Sequence, residues 1–301
     1  MPTEILKADQ YLTEDWHQLR RNSISASEIA AVMGLSPWAT PFSLYWAKKD
    51  DWREPETEAM KMGLKLEPIV ADLLWDRIAN NEQDHHFELA ETGTWQADNP
   101  TWALATPDRL LRWSNGSEED VELKTSSTLD GWGPDESDEV PVYYRCQVLW
   151  QLFVLGLNRA HIGVLFRGNH FRHYIIDRDD NDIRTMVQAA ERFMLRLTTQ
   201  TPPPVDGSEA TLDTLKRLHP TLSDHDAMLP AELVREWQEA VSDLKQAKAR
   251  KALVENSVRL AIGDAARAVD PDGNTVLLRQ VFDVPEYTVR ASTRDQLRSA
   301  S

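Results

Sequence analysis

Apolar residues recur along the chain first at helical and then at strand spacing. Over 57–79, Leu66, Ile69, Val70, Leu73, Leu74 and Ile78 fall on one stripe, the pattern of a helix with one buried face. Pro68 inside it is expected to kink or restart the helix. Upstream, Ser25-Ala26-Ser27-Glu28 has capping-box spacing, followed by Ile29, Ala30, Val32 and Met33 and then by Gly34 as a stop. Thr40-Pro41 opens another helix, through about Lys48, with proline in its first turn. Past residue 100 the pattern changes. The runs 102–106, 109–113 and 120–124 read as strands, and Asn115-Gly116 between the last two is a hairpin turn. A helix over 142–157, strands over 160–166 and 171–176, and a helix over 179–198 complete a mixed α/β pattern.

Thr201-Pro202-Pro203-Pro204-Val205-Asp206-Gly207 cannot continue a helix and favours an extended path. It divides a main domain, 1–204, from an appendage, 205–301. The appendage reads as one long helix, about 230–266. Its residues Leu233, Trp237, Ala240, Leu244, Ala247, Lys251, Val254, Val258 and Ala261 alternate spacings of four and three. That is a coiled-coil-like seam with one charged break. Strands over 276–281 and 287–290 are expected after it.

The 301 residues carry a net charge of −16, with 41% hydrophobic and 27% charged residues. A sizeable core is affordable and wholesale disorder is excluded. The acidic balance argues against coating nucleic acid by bulk charge, but not against a local basic cleft, and it suits carboxylate-held divalent metal. Cys146 is the only cysteine, so a disulfide framework, a zinc ribbon and a cysteine-held iron–sulfur cluster are excluded. No apolar run is long enough for a transmembrane helix. The first residues lack a signal-peptide pattern, so a cytoplasmic location is expected.

The chemistry concentrates in Pro107-Asp108 and Glu122-Leu123-Lys124. Read as strands, Asp108 lies at a strand end, and Glu122 and Lys124 share a face two residues apart. Asp108, Glu122 and the Leu123 backbone carbonyl can offer hard oxygens to Mg²⁺, leaving positions for water and phosphate. Lys124 can orient or help deprotonate the attacking water and balance developing charge. The same residue types also make an ordinary salt-bridged strand face. Glu67, breaking an apolar stretch beside Pro68, is either an exposed helix residue or a further metal ligand. Gln147 sits among Val148, Leu149, Trp150 and Leu152, and a buried amide there needs a specific partner. In Trp16-His17-Gln18-Leu19-Arg20 through Ser25-Ala26-Ser27-Glu28, Arg20, Ser25, Ser27 and a helix N-terminus can hold a phosphate. Ser25 reads equally as a helix cap, and Glu28 is an anion beside that pocket.

The ordered set Trp16-His17-x-Leu19-Arg20, Ile24-Ser25-Ala26-Ser27-Glu28, Glu67, Pro107-Asp108, Glu122-Leu123-Lys124 and Tyr144-x-x-Gln147 resembles the phage lambda-type exonucleases, or YqaJ-type viral recombinases, over about 10–200. These belong to the nucleases with a Pro-Asp…Asp/Glu-x-Lys signature. The resemblance implies a restriction-endonuclease-like core, a mixed central sheet flanked by helices, with a mainly helical C-terminal appendage. It implies a Mg²⁺-dependent 5′-to-3′ exonuclease on double-stranded DNA ends, with Mn²⁺ as a substitute, leaving 3′ single strands for recombination. Asp108, Glu122, the Leu123 carbonyl and Glu67 then match the metal site, Lys124 the catalytic lysine and Gln147 the glutamine that holds the site. Arg20, Ser25 and Ser27 match a pocket for a 5′-terminal phosphate. A homotrimer, a single-strand annealing partner and a phage or prophage origin in a bacterial cell are implied with them. Rival readings are a DNA endonuclease and a non-catalytic DNA-end-binding factor. The acidic loop 129–139 is odd beside a DNA path. It is expected either to face solvent or to become ordered only on binding DNA or metal.

Overall fold

The computed structural model describes residues 1–53, 57–81, 86–283 and 285. Two compact units divide at His219/Pro220. The first begins with strand β1 (Thr3–Leu6), helix α1 (Glu14–Arg21), strand β2 (Ile24–Ser25) and helices α2 (Ala26–Val32), α3 (Pro41–Lys49) and α4 (Glu58–Asn81). Strands β3 (Phe87–Ala90), β4 (Thr94–Gln96), β5 (Ala103–Ala105), β6 (Arg109–Trp113) and β7 (Glu118–Ser126) follow. Helix α5 (Val142–Leu155), strands β8 (Arg159–Phe166) and β9 (His170–Asp177), and helices α6 (Asp180–Thr199) and α7 (Glu209–Leu218) complete it.

A five-stranded sheet runs β3-β6-β7-β8-β9, and a four-stranded sheet β1-β4-β5-β2. In the larger sheet only β7 and β8 are parallel, because α5 carries the chain back between them. The β6–β7 hairpin closes at Gly116, whose φ of +86° suits glycine. Helix α5 ends at Gly156, whose φ is +70°.

Alternation along β7 sorts its side chains. Val121 and Leu123 join Val70, Leu74 and Ile78 of α4 and Leu111 and Leu165 in one apolar layer. Asp120, Glu122 and Lys124 occupy the opposite face, where Gln147 and Gln151 of α5 reach Glu122. Helix α5 brings Trp150 into the larger core with Ile24, Ile29, Ile162 and Tyr174. The Trp150 indole Nε1 donates to the Leu104 carbonyl at 3.2 Å. Trp150→Ala would cost roughly 3–5 kcal/mol and uncouple α5 from the smaller sheet.

Helix α4 continues through Pro68 rather than restarting. Elements the hydropathy pattern missed are β1 to β4, α1 and α7, most of them too short or too polar to register. Helix α7 belongs to the first unit, so that unit extends past the proline run. The Thr211 hydroxyl meets Thr40 at 2.9 Å, and the Arg217 guanidinium lies 3.3 Å from the centre of the Trp52 ring.

The acidic loop is not waiting for a ligand to order it. Asp135 accepts from Arg77 at 2.8 Å and from the His173 N–H at 2.8 Å, the Glu136 N–H donates to the His173 carbonyl, and Trp132 is buried. Its exposed carboxylates face solvent. Behind it, buried His173 and His161 meet at 2.8 Å, and His161 reaches Glu119 at 2.8 Å.

The second unit holds α8 (Ala231–Ile262) and a hairpin of β10 (Arg267–Val269) and β11 (Thr275–Leu278). The hairpin forms earlier than the sequence suggests, because Asp270 accepts from Asn274 N–H at 2.9 Å and Asp272 N–H at 3.0 Å and closes a turn. The expected strand 287–290 lies outside the described residues. Among the described residues, no helix is long and apolar enough to cross a membrane.

Candidate active site

Two connections assemble the site. Strand β5 runs through Thr106-Pro107-Asp108 into β6, carrying the chain from the smaller sheet to the larger one. On the smaller sheet β2 pairs in parallel with β5, placing Ile24 opposite Ala103 and Ser25 opposite Leu104. The serine segment and Asp108 are thereby tied to the same short strand.

Asp108 stands immediately before β6, and its Oδ2 accepts the Leu123 N–H at 2.7 Å. In a strand, a residue's N–H and C=O point to the same edge, so the Leu123 carbonyl is aimed into the gap that Asp108 borders. Glu122 is 2% exposed. Its Oε1 accepts from Lys124 and from Gln147 Nε2 at 2.5 Å, and its Oε2 from Gln151 Nε2 at 2.6 Å. Gln147 and Gln151 are one helical turn apart, so both project from the same face of α5. The Lys124 ammonium also lies 5.3 Å from the Tyr144 ring centre.

Glu67 is brought nearby but is already engaged. Its Oε1 accepts from Arg109 Nη1 at 2.8 Å, and the same nitrogen donates to the Asp108 carbonyl at 2.5 Å. Arg109 was not foreseen, nor was Gln151, nor Asp120. Available signals were the Gln147/Gln151 spacing among apolar residues and the Asp-x-Glu-x-Lys alternation in an otherwise apolar strand.

Burial raises the Asp108 carboxyl well above the usual range, reinforced by Glu122, against the opposing pull of Lys124 and the Leu123 N–H. Asp120 is raised by burial and by Glu122 and Asp108. Burial alone would lower Lys124, but Glu122 and Asp108 outweigh it and hold the ammonium protonated. Lys124 is therefore held as a cation beside the two carboxyl groups.

This donor set fits a divalent cation. Three carboxylates, Asp108, Asp120 and Glu122, face one lysine, and both Asp120 oxygens are buried without a hydrogen-bond partner. Buried carboxyl groups that resist ionising alone become carboxylates when a cation joins them, so the set favours a cation. Among the described residues, no three His, Cys, Asp or Glu side chains already converge at liganding distance. An ion here would be shared between Asp108, Glu122, the Leu123 carbonyl and water, the hard-oxygen, water-retaining coordination Mg²⁺ prefers.

The second half of the site is Arg20. Its guanidinium packs 4.4 Å from the Trp16 ring centre, donates to Ser27 Oγ at 3.1 Å and pairs with Glu28 at 3.1 Å. Buried Lys48 pairs with Glu28 at 3.0 Å and donates to the Arg20 carbonyl at 2.6 Å. Burial alone would raise Glu28, but Arg20, Lys48 and the Ser25 N–H outweigh it and bring it down to about 2. The anion beside the pocket is thus already neutralised.

Ser25 acts as the cap. Glu28 Oε2 takes its N–H at 2.9 Å and its hydroxyl at 2.9 Å. That backbone donor is spent, and α2 has only seven residues, so the helix terminus offers a phosphate less than its sequence suggested. Ser27, exposed beside Arg20, is the freer hydroxyl. Tyr11 stands edge-on to Trp16 at 5.1 Å. Its pKa is raised by burial and then by Asp108, with further effects from Arg20, Glu122 and Lys124.

This pairing of a Pro-Asp strand link with a Glu-x-Lys strand is the arrangement of a Pro-Asp…Asp/Glu-x-Lys core, built on a mixed sheet flanked by helices. Residues 15–158 match the model of the YqaJ-like viral recombinase domain family. It is 29% identical over 277 residues to the uncharacterized protein YqaJ of Bacillus subtilis (strain 168), spanning 87% of this chain and 82% of that protein. A crystal structure of an alkaline exonuclease, LHK-Exo, from Laribacter hongkongensis is 21% identical, with a TM-score of 0.48 over 69% of this chain and 98% of that one. A phage-related exonuclease from Haemophilus somnus 129PT is 14% identical, with a TM-score of 0.42 over 59% of this chain and 96% of that one.

Proposed function

We propose that the protein is a metal-dependent DNA exonuclease that hydrolyses duplex ends in the 5′-to-3′ direction, with Mg²⁺ as its ion. The observation that carries this reading is the clasp on Glu122, where Lys124, Gln147 and Gln151 hold a buried carboxylate beside Asp108. A solvated salt bridge needs no such enclosure, and burying carboxylates without a cation is costly. The match of residues 15–158 to a viral recombinase domain family supports DNA as the substrate.

In this reading Asp108, Glu122 and the Leu123 carbonyl hold the ion, with Glu67 reaching it only if it leaves Arg109. The ion supplies a Lewis acid for the phosphate and lowers the pKa of water. Gln147 and Gln151 fix the rotamer of Glu122, so no reorganisation is needed during reaction. Lys124, held as the ammonium, offsets negative charge developing at the phosphorus and its oxygens. Arg20 and Ser27 bind the 5′-terminal phosphate while Ser25 holds the turn that carries Ser27. Phosphate contacts carry no base information, so cleavage is expected at any sequence. Association as a homotrimer, and hand-over of the 3′ strand to an annealing protein, belong to the same reading.

The test is an end-labelled linear duplex beside a covalently closed circle, with and without Mg²⁺. The expected outcome is Mg²⁺-dependent release of nucleotides from the 5′ ends of the linear DNA alone. Cutting of the circle would make the protein an endonuclease. Binding without cutting of either would make it an end-binding factor.

A further inference from the structure

Trp38 is the most exposed tryptophan of the chain, with 62% of its surface open to solvent. It sits in the short connection from α2 to α3, and that connection is fixed. The Leu35 and Ser36 N–H groups donate to the Ala30 carbonyl at 2.8 and 3.1 Å. Ser36 Oγ accepts the N–H of Trp38 at 3.2 Å and of Ala39 at 3.3 Å, and Pro37 fixes its own φ. The backbone therefore holds the indole out in a set position. Trp38 is also one end of an aromatic ladder. It meets Tyr143 edge-on at 4.8 Å and lies 6.5 Å from Tyr144, whose ring is 4.5 Å from that of Tyr143. At the other end the Lys124 ammonium lies 5.3 Å from the Tyr144 ring centre. A T-shaped contact leaves at least one face of the indole clear of Tyr143.

We infer that the Trp38 indole stacks against a nucleobase close to the scissile phosphate and steadies the strand there. This rests on the exonuclease reading above and adds a base-holding surface to it. The placement of Trp38 carries the inference. Its connection joins α2, which holds Ser27 and Glu28, to α3, which holds Lys48, so it belongs to the Arg20 half of the site. Tyr143 and Tyr144 open α5, the helix whose Gln147 and Gln151 hold Glu122, so they belong to the carboxylate half. The indole thus rests where the two halves meet. Nucleotides along a stacked strand are about 3.4 Å apart, and the two steps from ammonium to indole, 5.3 Å and 6.5 Å, keep the first few bases within its reach. Every base has a π-face, so such stacking is indifferent to sequence, as an enzyme advancing along any DNA requires. Arg20 and Ser27 hold backbone phosphate and leave the bases free; Trp38 supplies the missing contact. A neighbouring subunit would also cover an indole, but a subunit contact has no use for a ladder that leads inward to Lys124.

Full-length Trp38→Ala and Trp38→Phe test this on blunt 5′-phosphorylated duplexes that carry a single abasic nucleotide, placed in turn at each of the first few positions of either strand. On the intact duplex Trp38→Ala should lower Mg²⁺-dependent kcat/KM about tenfold, equivalent to about 1.4 kcal/mol and within the range of base stacking on an aromatic side chain. Trp38→Phe should recover most of that loss, which a ring serving only to pack the loop would not predict for an exposed position. At one position the abasic nucleotide should cost wild type a similar factor and cost Trp38→Ala nothing further. Affinity for the same duplexes in Ca²⁺, read by fluorescence anisotropy, should follow the same pattern without turnover. The proposal is overturned if Trp38→Ala matches wild type in both measurements, or if the two losses multiply at every position. It is also overturned if Trp38→Ala changes the mass of the assembly by light scattering, which would assign the indole to a subunit contact. Cutting by wild type in Mg²⁺ without the abasic pattern would remove the stacking contact alone. The abasic pattern in Ca²⁺ without any cutting in Mg²⁺ would remove the exonuclease reading and leave the stacking contact in place.

Discussion

The two halves of the site solve opposite electrostatic problems. Around Glu122 the fold buries three carboxyl groups, meets Glu122 with one ammonium and two amides, and leaves the Asp120 oxygens without partners. Around Arg20 the fold closes the account: Glu28 lies between Arg20 and Lys48, and the guanidinium rests on Trp16. The first half is short of a positive ion. The second is balanced on its own and still presents donors. A site asking for a cation beside one that offers hydrogen bonds to an anion suits a phosphate ester whose hydrolysis needs metal and whose end must be recognised.

The comparison breaks most sharply at the carboxylate half. Glu122→Gln or Lys124→Ala should lower cleavage by about 10²–10³-fold or more, equally on 5′-phosphate and 5′-hydroxyl ends, while duplex ends still bind in Ca²⁺. Rates within a few-fold of wild type would remove these residues from the chemistry. Arg20→Ala should cost about ten- to a hundredfold on 5′-phosphorylated duplexes, from the loss of a charge-assisted hydrogen bond of roughly 1.5–3 kcal/mol. On 5′-hydroxyl ends it should matter much less. Initial rates on two blunt duplexes differing only in that phosphate decide it, and an equal defect on both would end the phosphate-pocket assignment. Ser27→Ala should follow Arg20→Ala more weakly, whereas Ser25→Ala would mix in about 1 kcal/mol of lost capping.

A subtler test separates holding the metal ligand from being one. Gln151→Leu leaves Glu122 Oε2 without its donor, so Mn²⁺ affinity measured by electron paramagnetic resonance should fall about tenfold. Stability should fall by about 1–3 kcal/mol. Unchanged Mn²⁺ affinity would make Gln151 a packing residue.

The smallest effect is on acid stability. Burial, with His161 and Arg77, holds His173 down at about 3, against 6.5 for a free imidazole. Between these values the unfolded chain binds a proton that the folded chain does not, so stability falls as pH drops from 6.5 toward 3. Glu28 is lowered from 4.5 to about 2, so its contribution is complete above 4.5 and is lost as pH falls toward 2. Urea midpoints followed by tryptophan fluorescence should therefore decline below pH 6.5 and more steeply below 4.5. His173→Gln should flatten the upper part of that decline, and an identical profile in the variant would refute the assignment.

Much of this was legible in the residue order. The capping box at Ser25, the stops at Gly34 and Gly156, the Asn115-Gly116 hairpin and the long apolar stripe of α4 are local features. Each depends on residues within a turn or two of one another. The alternation along β7 likewise separates Leu123 from Glu122 and Lys124 in any extended strand. Short strands such as β2 and β4 escaped notice because they are held by pairing with distant segments rather than by their own pattern. Helix α7 escaped because its buried contacts are threonine hydroxyls and a cation over Trp52, which hydropathy does not weigh.

The sequence by itself determined which chemical groups are available and in what order along the chain. Asp108, Glu122, Lys124, Gln147, Arg20 and Ser27 could all be picked out by type and spacing. Only the tertiary structure decided how those groups divide their hydrogen bonds. It pairs Glu67 with Arg109, neutralises Glu28 with Lys48, adds Gln151 to the clasp on Glu122, leaves Asp120 unpartnered and keeps Lys124 charged. The physical reason is that pKa and hydrogen-bond partnership depend on burial and on distances between segments far apart in the chain. Spacing along one strand or helix sets which side a residue faces, whereas its charge state is set by what the rest of the fold brings to that side.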